Sequence, residues 1–128
     1  MPIKSKKLRN YLKWLQQQSY PPYSDTLYRS ENGNTLIHMS YESKQTFMWE
    51  LVITGDDFEE LYGRTELEIR YLVDATNTAK LMKLMGVHDG EGLVKAIKAR
   101  FGQFESDSSD RLSQFCKSHD VAYDISPY

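Results

Sequence analysis

Among its 128 residues the chain has one cysteine, four prolines and seven glycines, and each scarcity removes a class of protein. The lone thiol of Cys116 has no partner for an internal disulfide, so a disulfide scaffold is excluded and a reducing compartment is expected. No apolar run approaches the roughly 20 residues that a bilayer-crossing helix needs, which excludes that kind of span. The basic opening from Met1 to Asn10 leads into an aromatic and glutamine-rich stretch, without an apolar h-region or a small-residue cleavage site. It does not read as a secretory signal, and a cytoplasmic location is expected. Gly86, Gly90 and Gly92 make neither GxGxxG nor a Walker loop, and no strand leads directly into them. A turn between two helices is all they require, and no cofactor is expected.

What is present fits one soluble domain over residues 1–128, with 40% hydrophobic and 27% charged residues. The formal charge of −2 conceals segregation. Residues 1–18 hold Lys4, Lys6, Lys7, Arg9 and Lys13 and no acid, whereas residues 50–74 hold eight acids against Arg64 and Arg70. Residues 75–101 turn basic again through Lys80, Lys83, Lys95, Lys98 and Arg100. Opposed solvated faces attracting one another within the fold account for such alternation, and partner-facing patches are the alternative.

Periodicity supplies the architecture. Leu8, Tyr11, Leu12 and Leu15 predict an N-terminal amphipathic basic helix within residues 1–20, stopped by Pro21-Pro22. Thr26 to Glu31 and Thr35 to Tyr41 read as a hairpin across Asn32-Gly33-Asn34, since Asn-Gly favours a positive-φ turn. Phe47, Trp49, Leu51 and Ile53 alternate next, and Leu67, Ile69, Tyr71 and Val73 alternate against Glu66, Glu68 and Arg70. Between them, Asp56 to Tyr62 reads as a capped helical turn ended by Gly63. From Asn77 the period becomes helical: Leu81, Met82 and Met85, then Leu93, Val94, Ile97 and Phe101, then Leu112, Phe115, Cys116 and His119. Gly86 and Gly102 stand where C-caps belong, Ser106 to Asp110 reads as a polar capping loop, and Val121 to Ile125 alternates once more. The expected fold is α+β: a β-meander over residues 25–74, a helical layer of about three helices over 77–119, and a closing strand over 121–126. This gives an antiparallel sheet of four or five strands covered on one face by the helices.

The pieces DFEELYG, NTAKLMKLMGVHDGEGLVKAIKARFG and FCKSHDVAYDI, about half of the chain, resemble a loose group of small uncharacterised cytosolic proteins from Gram-positive bacteria. The resemblance assigns no activity to any residue and implies only a bacterial cytosolic origin.

Chemistry finds little purchase. Cys116 and His119 are three residues apart on one helix, the spacing of a thiol and a base, but Cys116 lies with Leu112 and Phe115 and reads as a core residue. The same pair gives a metal two donors where zinc needs three or four, and His38 and His88 would have to converge from a strand and a loop. His88-Asp89 and His119-Asp120 resemble the order found in HD-type metal phosphohydrolases if His38 is counted, yet that family is all-helical and His38 lies in a hairpin. Neither a catalytic residue nor a metal ligand is expected.

Two binding readings stay open. Nine tyrosines and two tryptophans, the side chains that anchor interfaces, favour a protein partner. Such a chain suits an immunity or antitoxin-like inhibitor, with Asp56, Asp57, Glu59, Glu60, Glu66 and Glu68 forming an acidic ridge beside Tyr62 that meets a basic partner. The alternative is a nucleic-acid-binding regulator using either the basic N-terminal helix or a helix-turn-helix-like segment over 77–101 with Lys95, Lys98 and Arg100. No membrane partner is expected.

Overall fold

The computed structural model describes residues 22–55 and 66–127. The N-terminal helix expected within residues 1–20 and the capped turn expected at Asp56 to Tyr62 lie outside them. Strands β1 (Tyr23–Arg29), β2 (Thr35–Tyr41), β3 (Phe47–Thr54) and β4 (Glu66–Val73) are followed by helices α1 (Ala75–Met85) and α2 (Gly90–Phe101). A 3₁₀ segment (Gly102–Asp107), helix α3 (Ser108–Ser118) and strand β5 (Asp124–Pro127) complete the order. All strand pairs are antiparallel, and the sheet runs β1-β2-β3-β4-β5, so every strand lies beside its neighbour in sequence.

Because strand side chains alternate, register decides what each face carries. Tyr41, Phe47 and Val73 stand in one cross-strand row, Met39, Trp49 and Tyr71 in the next, and Ile37, Leu51 and Ile69 in a third. These rows form one apolar face. It joins Leu81, Leu93, Val94, Ile97, Phe101, Leu112 and Cys116 in a single core, so the helices pack on that side. Trp49 is fully buried, stacked on Tyr71 at 4.5 Å between ring centroids, and its indole N–H donates to Ser109 Oγ at 2.9 Å. Between Thr26 and Tyr28 the β1–β2 register slips, a bulge that accommodates the buried Leu27.

The helix starts follow from capping carboxylates. Asp74 accepts from the Asn77 N–H at 2.8 Å to open α1, and Asp89 accepts from the Gly92 N–H at 2.6 Å to open α2. Gly86 closes α1 in the left-handed region, at φ 68°.

Three local expectations need correction. The closing strand expected over 121–126 runs over Asp124–Pro127, because the Val121 and Ala122 N–H groups are taken by the Cys116 carbonyl and Asn77 Oδ1, whereas Gly102 does stand at the C-cap of α2, at φ −59°. Ser106 to Asp110 is not a capping loop, because α3 begins inside it and Asp107 makes no side-chain capping bond. Ser108 and Ser109 are buried instead, and Ser108 Oγ donates to the Phe101 carbonyl at 2.7 Å, tying the end of α2 to the start of α3. The first strand runs over Tyr23–Arg29 rather than Thr26 to Glu31, since Ser30 opens the loop: Gly33 N–H donates to the Ser30 carbonyl, and Asn34 N–H to Asn32 Oδ1.

Candidate functional site

The face of the sheet turned away from the helices carries the only candidate acids that fall within the described residues. With Leu67, Ile69 and Tyr71 on the helix side, alternation sends Glu66, Glu68, Arg70 and Leu72 to the other. Glu66 stands opposite Thr54, Glu68 opposite Val52, Arg70 opposite Glu50, and Leu72 opposite Met48. The Arg70 guanidinium pairs with Glu50 Oε2 at 3.6 Å, which matches the nearest cation on β4 to an acid of its own. Among the described residues Glu66 and Glu68 enter no ion pair. β5 pairs with β4 from Ile69 onward, so the Glu66 to Glu68 stretch has no strand beside it on that edge among the described residues. Leu72, 41% exposed, and half-buried Leu36, Met48 and Val52 provide apolar surface on the same face. Asp56, Asp57, Glu59, Glu60 and Tyr62 lie outside the described residues, so the ridge is seen only in its Glu66 and Glu68 part.

Toward β1 this face turns polar. A shallow hollow of about 330 Å³ is lined by Tyr23, Ser24, His38, Ser40, Glu42 and Met48, among others. Ser40 Oγ donates to Glu42 Oε1 at 2.6 Å, so its hydroxyl is engaged by a carboxylate. His38, weighed in the sequence only as a metal ligand, shares this face with Ser40, Met48 and Leu72, which no motif marks although the alternation that sends Glu66 and Glu68 outward extends to them.

The basic residues of the alternative reading are largely engaged within the molecule. Lys95 Nζ meets Glu91 Oε2 at 3.4 Å one turn earlier in α2, and Lys98 Nζ donates to Asp25 Oδ2 of β1 at 3.0 Å. The Lys98 ammonium beside Asp25 holds that carboxyl below the usual carboxylate range. Arg100 lies over the Phe115 ring, 4.5 Å from guanidinium carbon to centroid. α1 and α2 do form the helix pair expected over 77–101.

Cys116 and His119 do not come together as thiol and base. Cys116 is fully buried, and desolvation pushes its thiol up to about 11, the wrong direction for a nucleophile at neutral pH. His119 is exposed at the end of α3, its ring on Phe115 and its Nδ1 2.9 Å from the Phe115 carbonyl. Among the described residues, no group of three or more His, Cys, Asp or Glu is placed to hold a metal ion, and no helix is long and apolar enough to cross a membrane. Comparison with family models, with curated proteins and with solved structures finds no match to this chain.

Proposed function

We propose that the chain is a small cytosolic protein-binding module without catalysis of its own, in which one face of the sheet is covered by helices and the other meets a basic protein partner. The observation that carries this reading is the state of Glu66 and Glu68: two carboxylates on the face turned away from the helices, without an ion pair among the described residues, Glu66 opposite Thr54 and Glu68 opposite Val52. An apolar floor bordered by unneutralised charge of one sign is the arrangement that steers an oppositely charged protein and then excludes water around the contact. A strand has no dipole comparable with that of a helix, so these acids gain nothing from the backbone beneath them. An inhibitor that plugs a basic site, in the manner of an immunity or antitoxin protein, has these requirements, and the likeness is one of class.

The test is kinetic. A protein co-purified from the native host should associate more slowly with the Glu66→Lys/Glu68→Lys double variant, by about tenfold at low salt and less at moderate salt, while thermal unfolding stays put. Unchanged association at both salt concentrations would overturn the reading.

A further inference from the structure

On the opposite side of the molecule, the outer surface of α3 carries a second set of side chains that the open sheet face does not use. Arg111, Phe115 and His119 repeat every four residues along it, while Leu112 and Cys116 point into the core. The Arg111 guanidinium lies over Phe104 of the 3₁₀ segment at 4.9 Å, and the Arg100 guanidinium lies over Phe115 at 4.5 Å. Phe115 meets Phe101 edge-on at 5.5 Å, which joins Arg100 and Phe115 to the core, and Phe104 remains 37% exposed.

The acids that these arginines leave unused are informative. Asp107 precedes Arg111 by four residues, the order in which an acid and a base pair best on a helix, and Glu91 demonstrates such pairing with Lys95. Among the described residues, Arg100 and Arg111 nevertheless enter no ion pair. A guanidinium over an aromatic ring is held there by cation–π attraction, which spends none of its N–H donors. Those donors form the fork that a carboxylate matches in bidentate fashion. Glu105, Asp107 and Asp110 stand in the same stretch, so no broad positive field forms here and recognition works at the range of a hydrogen bond.

We infer that the Arg100–Phe104–Arg111–Phe115 surface is a docking site for a protein segment presenting separated carboxylates beside an aliphatic or aromatic side chain. Its carboxylates take the two guanidinium forks and its apolar group covers Phe104. The site is independent of the acidic face on the sheet, so a partner held there leaves it available.

A blocked hexapeptide alternating glutamate and leucine is the probe, titrated into the full chain while the arginine Nε–Hε and Phe104 ring signals are followed by NMR. Saturable shifts at Arg100, Arg111 and Phe104 are expected in the millimolar range. Arg100→Lys and Arg111→Lys, which keep the charge and remove the fork, should each weaken binding about fivefold, and Glu66→Lys should change nothing. Three results would each overturn the proposal: no saturable shift, full affinity in the lysine variants, or an octathymidylate binding this surface more tightly than the peptide.

Discussion

Trp49 and Ser109 show how a single residue's role here depends on a partner far away in the chain. The indole N–H is fully buried, and Ser109 Oγ satisfies it at 2.9 Å. Ser109→Ala leaves that donor buried and unpaired, and should cost about 1–3 kcal/mol, read as a lower midpoint in urea. Ser109→Ala unfolding at the parent's midpoint would show that the bond contributes nothing. The serines of the 106–110 stretch read as a polar loop because serine favours caps and turns, and no local pattern reveals a tryptophan 60 residues away. Cys116 is the opposite case: its helical neighbours Leu112 and Phe115 identify it as core, and burial then raises its thiol to about 11. Iodoacetamide at pH 8 should leave the native thiol unmodified and label it only on denaturation. Glu105 stands at φ 54°, ψ −122°, a combination that suits glycine and strains a residue with a Cβ. Glu105→Gly should therefore raise stability by about 1 kcal/mol, visible as a higher thermal midpoint.

Elements were legible wherever burial is one-sided and the period is clean. Alternation in Ile37, Met39 and Tyr41, and again in Phe47, Trp49 and Leu51, reports a face pressed against helices, and the same rule put Glu66 and Glu68 on the other face. The junctions were less legible, since there side chains compete with the backbone and a single bond shifts a boundary. Gly102 illustrates this: it stands at the helix end that its type suggests, yet the next turn tightens into 3₁₀ geometry because Ser108 reaches back to the Phe101 carbonyl. The internal engagement of Lys98 was not legible either, because its partner Asp25 is 73 residues distant. Gly90, the first residue of α2, is fixed by packing and not by φ. A Cβ built there overlaps Cδ1 and Cγ of the Tyr41 ring, at its root and not at a flexible end. Gly90→Ala should consequently push α2 off β2 at a cost of about 1–3 kcal/mol, although alanine has the better helix propensity. An unchanged or raised thermal midpoint in Gly90→Ala would overturn this.

At the scale of the molecule, an open sheet has two edges, and both carry devices against pairing with another strand. β5 has four residues and ends in Pro127, which offers no N–H. β1 is bent by its bulge at Leu27 and carries Asp25 opposite Met39, on the helix side of the sheet, where Lys98 of α2 reaches it. That ion pair therefore fastens the helical layer to an edge strand, and it links pH to the integrity of the edge. The Asp25 carboxyl is lowered chiefly by its hydrogen bond with Lys98, so its pKa in the folded chain lies below that in the unfolded one. Between those two values the unfolded chain binds more protons, so stability rises with pH through that window. The contribution is complete above the unfolded-state value and is lost as pH falls through the folded one. Asp74, lowered first by the Asn77 N–H at the start of α1, acts in the same direction. Asp25→Asn should thus give a shallower fall in stability below the ordinary carboxylate range, and Lys98→Met, which removes the cause and leaves the acid, should flatten the same limb. With both changes together the slope should be no shallower than with Asp25→Asn alone, because the lysine then has no carboxylate left to act on. Urea midpoints followed from neutral pH into that range decide it, and an acid limb of parental steepness in Lys98→Met would break the link between this pair and the edge.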